Sequence, residues 1–277
     1  MVLALAAGLV IWMIVAARTP DYVLPPLADV VNRTVELFSE PDQRWNWILT
    51  VIRIMLGLVT AFAIGTALGL AMGRSRRLTN IFMPYLQITQ GIPSLAWVII
   101  AIIWFQTVEV RIWFLLLMVT LPGFAFQAQD SYRAIPRELQ DMAKSLRPRR
   151  RRLDMFRTIT LPAIIPDLLT AWKINLGLGT RVVLIAEFAG ASVGVGYRLL
   201  IELQFFRMDG VIAWTASLVI FVLIIQQIIA AIERRLLRYR PGGAIREVGE
   251  TEQQDPRERT SAVAGGDGSS TGRAGGD

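Results

Sequence analysis

Residues Trp47–Met72 read WILTVIRIMLGLVTAFAIGTALGLAM, a 26-residue run that is almost wholly apolar. Its only charged residue is Arg53, near one end. A helix of this length spans the hydrocarbon core of a bilayer, about 30 Å thick. Gly57, Gly65 and Gly69 are small residues of the kind that let helices approach closely in lipid. A basic run, RSRR at Arg74–Arg77, ends the segment.

Outward from it, similar apolar blocks recur. Val2–Ala17 is closed by Arg18; Ile112–Phe126, Pro162–Phe188 and Val211–Ile232 follow later. Leu78–Phe105 is mixed: Pro84, Gln87, Gln90, Gly91 and Pro93 interrupt its first half, and Leu95–Phe105 is apolar. It predicts a short or broken entry followed by a span. Of the 277 residues, 53% are hydrophobic and 18% charged, and mean hydropathy is +0.47. A soluble domain of this length carries more charge and lacks such runs. The expected fold class is an all-α polytopic membrane protein with about six transmembrane helices.

The chain has no His and no Cys. Disulfides, thiolate nucleophiles, Cys/His metal sites and imidazole acid–base chemistry are excluded. Net charge is +7, carried almost wholly by Arg. In a greasy chain this charge orients helices, because basic loops stay on the cytoplasmic side. Three clusters dominate: RSRR, ERRLLRYR at Glu233–Arg240, and the run from Arg133 to Arg157, with nine basic residues against three acidic. All three fall inside if both termini are cytoplasmic.

The expected organisation has four parts. Residues 1–18 form a first transmembrane helix, retained rather than cleaved, since the basic n-region of a signal peptide is missing. Residues 19–46 form an extracytoplasmic loop with a short amphipathic helix near Leu27–Phe38. Residues 47–240 form the membrane core, with a cytoplasmic loop at 130–160. Residues 241–277, rich in Gly, Ser, Asp and Glu, form a disordered cytoplasmic tail.

The cytoplasmic loop continues into the next span as ELQDMAKSLRPRRRRLDMFRTITLPAIIP, Glu138–Pro166. Leu139, Met142, Ala143 and Leu146 make one apolar helical stripe. Pro136 stands at a permissible helix start, Glu138 and Asp141 sit early where the dipole favours acids, and Pro148 stops the helix. Pattern alone fits a protein-docking helix or one lying on lipid headgroups.

The loop resembles that of ATP-binding-cassette importer permeases, whose pattern is Glu-Ala-Ala, three residues, Gly, nine residues, Ile, one residue, Leu-Pro. Here Asp141-Met142-Ala143 stands at the Glu-Ala-Ala position, and Ile159, Leu161 and Pro162 at the other end. Arg147 replaces the glycine and is followed by Pro148, and eleven residues rather than nine separate Arg147 from Ile159. Ser75–Trp97, Ile159–Gly179, Val182–Tyr197 and ERRLLRYR also resemble the nitrate/sulfonate/taurine/bicarbonate branch of these permeases. The likeness covers roughly residues 20–240.

The resemblance implies the type I ABC importer permease fold in a bacterial cytoplasmic membrane. It implies a transport subunit that is not an enzyme and binds no cofactor, with ATP and Mg on two partner ATPase subunits. No GxxxxGK[ST] segment is present to bind ATP. The other implied partners are a second permease copy or a paralogue, an extracytoplasmic substrate-binding protein and the bilayer. The cargo would be a small, anionic solute. Glu138, Leu139, Asp141, Met142, Ala143, Leu146, Arg147 and Pro148 would form the coupling helix that docks the ATPase.

Polar residues inside spans are the other candidates. Lys173, Gly177 and Arg181 fall at i, i+4 and i+8, with Asn175 between them. They form a cationic stripe on a translocation pathway, or else Arg181 is paired with Glu187 or with an acid on another span. Glu187, followed by GASVGVGY, is expected at the outer mouth, contacting the binding protein, closing a gate, or only preceding a glycine turn. Gln87, Gln90, Gln127 and Gln129 read as structural hydrogen-bonding groups. Two other readings predict different residues. A secondary transporter needs ionisable relay residues at mid-membrane, of which this chain has few, and a non-transport scaffold needs only a lipid-binding loop.

Overall fold

A computed structural model describes residues 2–136, 156 and 160–236 of the chain. Among them the structure is helical, with nine α-helices. These are α1 (Val2–Ala16), α2 (Leu27–Ser39), α3 (Pro41–Arg74), α4 (Arg76–Gly91), α5 (Ser94–Trp104), α6 (Val108–Arg133), α7 (Leu161–Gly190), α8 (Val195–Gln204) and α9 (Met208–Leu236). The coupling-helix candidates Glu138–Pro148 and the tail 241–277 lie outside the described residues. The chain divides into two compact units, Met1–Arg234 and Arg235–Asp277. Helices α1 to α8 and nearly all of α9 belong to the first.

All six apolar blocks are helical. Four helices, α3, α6, α7 and α9, are long and apolar enough to cross a membrane. The mixed block becomes α4 and α5, bent by 97° at a short break, and counts as a fifth span if the pair is taken together. α1 has 15 residues, short of the roughly 20 needed to span unaided.

The bend has a local cause. Pro93 has no N–H to donate and pushes Ile92 out of the helical region, to φ −75° and ψ 125°. Trp97 Nε1 reaches back across the break to the Thr89 carbonyl at 3.3 Å. Ser75 ends α3 with extended φ/ψ and caps α4, its hydroxyl accepting from Leu78 N at 3.5 Å.

α6 is the axis of the unit, with α3 and α7 packed along it. Ile54, Leu58 and Ala61 of α3, Leu116 and Phe124 of α6, and Leu176 and Val183 of α7 form one buried cluster. The glycines of α3 permit this approach. A Cβ on Gly65 would sit 2.7 Å from the Leu121 carbonyl oxygen, and one on Gly69 would collide with that of Ala125. A second cluster joins Val30 and Leu37 of α2, Val195 of α8, and Ala213, Trp214 and Leu218 of α9.

Several boundaries differ from the sequence expectation. α3 starts at Pro41, six residues before the apolar run, because Pro at the first turn suits a helix start. α6 runs from Val108 to Arg133, beginning four residues before the apolar block Ile112–Phe126. The stretch between the apolar blocks Pro162–Phe188 and Val211–Ile232 contains α8. In α3 and α6 the backbone ladder continues where the hydropathy fades; α8 is a separate helix after the non-helical residues 191–194.

Candidate functional site

Asn46, Thr50 and Arg53 fall at i, i+4 and i+7, on one face near the start of α3. All three are buried. Thr50 and Arg53 meet Glu187, close to the end of α7, whose side chain has no solvent exposure. The Glu187 carboxylate accepts from Arg53 Nη1 at 2.6 Å, from Thr50 Oγ1 at 2.8 Å, and from the backbone N–H of Gly196 at 2.8 Å. The guanidinium is shared. Its Nε and Nη2 donate to Glu109, in the first turn of α6, at 2.9 and 2.5 Å, and Nη1 also reaches the Val193 carbonyl at 2.8 Å. One cation therefore joins α3, α6, α7 and the turn after α7. Burial makes each bond depend on the others, since an unpaired charge there would be costly.

The glycine turn is shaped to this carboxylate. Gly194 has φ +129°, where side-chain-bearing residues are strained, and a Cβ there would sit 2.5 Å from the Glu187 carboxyl. Asn46 Oδ1 accepts from Gly194 N at 2.8 Å, and Thr50 Oγ1 accepts from Val195 N at 2.9 Å. Thus α3 and Glu187 together hold residues 193–196. α8, which starts there, packs under α2. Glu202 of α8 accepts from Arg33 of α2 at 2.8 Å and lies 3.0 Å from Arg207 Nε. Burial pulls the Arg33 guanidinium down, but its hydrogen bonds to Glu36 and Glu202 raise it further, so it stays charged.

The other candidates on α7 separate into three kinds. Lys173 donates to Glu233 of α9 at 2.5 Å, which neutralises it. Asn175 is buried, donates to the Ala171 carbonyl at 2.9 Å and packs against Gly123 of α6. Gly177 has open space where a Cβ would be, and Arg181 is exposed. Among the described residues no acid lies within ion-pair distance of Arg181; Glu187 pairs with Arg53 instead. Of the glutamines, Gln129 is buried on α6, and with its amide oxygen turned to Arg133 it accepts at 3.0 and 3.2 Å. Arg133 also donates to Thr79 at the start of α4, at 2.8 Å. Gln87 and Gln90 are exposed.

Sequence reasoning missed the roles of Arg53 and Glu109. Arg53 is a lone charge near the start of an apolar run, and Glu109, with Arg111 two residues on, precedes another. Such a charge is a signal, because an ionisable residue in a span calls for a partner. The carboxylates that Arg53 serves are 134 and 56 positions away.

A family model described as "Binding-protein-dependent transport system inner membrane component" matches residues 46–238. The chain is 27% identical over 240 residues to the taurine transport system permease protein of Escherichia coli strain K12, covering 84% of this chain and 86% of that one. It is 26% identical to the bicarbonate transport system permease protein of Synechococcus elongatus, covering 80% and 77%. It is 26% identical to the nitrate import permease protein of Leptolyngbya laminosa, covering 61% and 63%.

Proposed function

We propose a function from the premise that this chain belongs to the binding-protein-dependent transport system inner membrane component family, whose model runs from within α3 to just past α9. It is a transport permease subunit and an inner membrane component. In our reading it forms the pathway of an ATP-driven importer for a small anionic solute. Taurine, bicarbonate and nitrate, named in its relatives, are each anions or carry an anionic group. The observation that carries the reading is the extent of the family match, which takes in all four helices long enough to span.

The further assignments rest on the same premise. The Glu187 end faces outward, so that α2 and α8 meet a substrate-binding protein, and both termini are cytoplasmic. Two partner ATPases bind ATP and Mg and grip the loop through Glu138, Leu139, Asp141, Met142, Ala143, Leu146, Arg147 and Pro148. Burial by an ATPase groove would favour the apolar stripe, while the flanking charges set register. Of the pathway candidates, Gly177 and Arg181 keep an open face; Lys173, Asn175 and Glu187 are engaged in packing and ion pairs and act as supports. ATP-dependent uptake of labelled anions into proteoliposomes holding permease, ATPase and binding protein tests the reading. Uptake that persists when the ATPase is inactivated, driven by an ion gradient instead, would sink it. Ala143→Arg and Leu146→Asp should abolish co-purification of the ATPase; an intact complex in both would remove the docking assignment.

A further inference from the structure

Three contacts fix the chain where α6 gives way to the coupling loop, 136–160. Tyr132 lies against Gly73 of α3: a Cβ on that glycine would sit 2.9 Å from the Tyr132 ring. Ile135 is buried in one apolar cluster with Ala128 and with Ile164 and Leu168 of α7, where the chain returns from the loop. Between these, Arg133 makes a polar contact. Its Nη2 donates to Thr79 Oγ1 at 2.8 Å, and the two terminal nitrogens donate to the turned Gln129 amide oxygen at 3.0 and 3.2 Å.

Thr79 is itself a junction. Its hydroxyl donates to the Met72 carbonyl at 2.7 Å. Met72 lies in the last turn of α3, where carbonyls lack a partner within the helix. A hydroxyl has one proton to give and two lone pairs, so the bond to Met72 and the bond from Arg133 form together. Thr79, in the first turn of α4, thus caps α3 and accepts from α6 with the same oxygen. Gln129 and Thr79 are buried, and they hold the guanidinium of an otherwise exposed arginine in one orientation. Orienting charge needs no such bonds. Arg76 and Arg77, at the start of α4, are exposed and make no side-chain hydrogen bond among the described residues.

The apolar and polar contacts pass on motion differently. Apolar packing is non-directional, so surfaces in such contact can slide. Hydrogen bonds from a planar, forked guanidinium fix both distance and angle. A displacement of the loop reaches α7 through a contact that can slide, and reaches the α3–α4 corner through one that holds. α4 is also a separate rod, set off from α5 by the 97° bend.

We propose that Arg133 is a positioning residue for transport: with Gln129 and Thr79 it forms the joint that passes displacement of the coupling loop to α3 and α4. The proposal rests on the importer reading, in which partner ATPases pull on that loop, and names the route by which their motion enters the spans. Without the joint the ATPases still dock and hydrolyse ATP, but part of their motion is lost in sliding.

The quantity to measure is solute moved per ATP hydrolysed, in proteoliposomes holding the complete transporter. Labelled taurine, bicarbonate and nitrate are the probes, and the one that the unmodified transporter accumulates is carried forward. Arg133→Gln should lower the ratio about fivefold or more, the low end for a coupling between sites, while ATP hydrolysis, ATPase co-purification and the unfolding midpoint stay near those of the unmodified protein. Thr79→Val should do the same, Thr79→Ser should keep the ratio, and Arg133→Lys should recover part of it. Because the residues act as one unit, Arg133→Gln with Thr79→Val should be no worse than either alone. Arg77→Gln removes a neighbouring charge outside the joint and should leave the ratio unchanged. An unchanged ratio in both Arg133→Gln and Thr79→Val overturns the proposal. Loss of assembly or of the unfolding midpoint in step with uptake overturns it too, because the contacts would then only support folding. Additive losses in the double variant would give the two residues separate roles and overturn the joint. Absence of ATP-dependent uptake in the unmodified transporter would sink the importer reading and the joint with it, whereas uptake with an unchanged ratio in the variants would sink the joint alone.

Discussion

Arg53 donates directly to two carboxylates and a backbone carbonyl, and through Glu187 it is joined to the glycine turn. Removing it would leave the buried Glu187 carboxyl without its cationic partner, served only by Thr50 and the Gly196 N–H. Breaking a buried pair from one side costs about 3–5 kcal/mol. Arg53→Gln should therefore lower the thermal unfolding midpoint of the purified protein in detergent strongly, whereas Arg53→Gln with Glu187→Gln should recover much of the loss. Equal loss in the single and double variants would mean that the charge pairing contributes little. Gly194 is the second sensitive residue. Gly194→Ala places a methyl on the Glu187 carboxyl in a backbone conformation alanine disfavours, and should cost about 1–3 kcal/mol in the same assay. Gly8→Ala has open space around it and gives the baseline.

At the scale of elements, the α3–α6 contact depends on the absence of side chains. Gly69 faces the Ala125 carbonyl and Gly65 that of Leu121. Backbone cannot move aside as a flexible side chain does, so Gly69→Val should separate the helices and abolish monodisperse protein in size-exclusion chromatography. Gly177→Val, on the open face of α7, should leave folding intact. The Lys173–Glu233 pair fastens α7 to α9 while both side chains remain about a third exposed. Solvent screening limits such a pair to about 1 kcal/mol. Lys173→Glu should be mildly destabilising and should be rescued by Glu233→Lys, seen as a return of the unfolding midpoint.

For the whole molecule, the helical membrane class was legible in the sequence. Runs such as Trp47–Met72 and Val211–Ile232 exclude a soluble fold, and a backbone in lipid must satisfy its polar groups within each segment. Pro93 marked the α4–α5 break, because its missing N–H acts locally. Helix α8 was not legible, since VGYRLLIELQ is too short and mixed to stand out from a loop. The roles of the α7 residues were not legible either. Lys173, Asn175, Gly177 and Arg181 lie close together in sequence, yet one is paired, one is buried, and two face open space. Residues one helical turn apart can face different neighbours, and only packing says which.

The order of the residues sets the class of solvent, the number and rough extent of the apolar segments, and the places where the chain must break. These follow from side-chain hydropathy and from backbone chemistry that acts over a few residues. That Arg53 serves both Glu187 and Glu109, and that Glu187 is therefore closed to Arg181, comes from the packing of the helices. Charge pairing acts over a few ångströms in space, and the helix faces that come within that distance are chosen by the packing of α3 and α7 on α6.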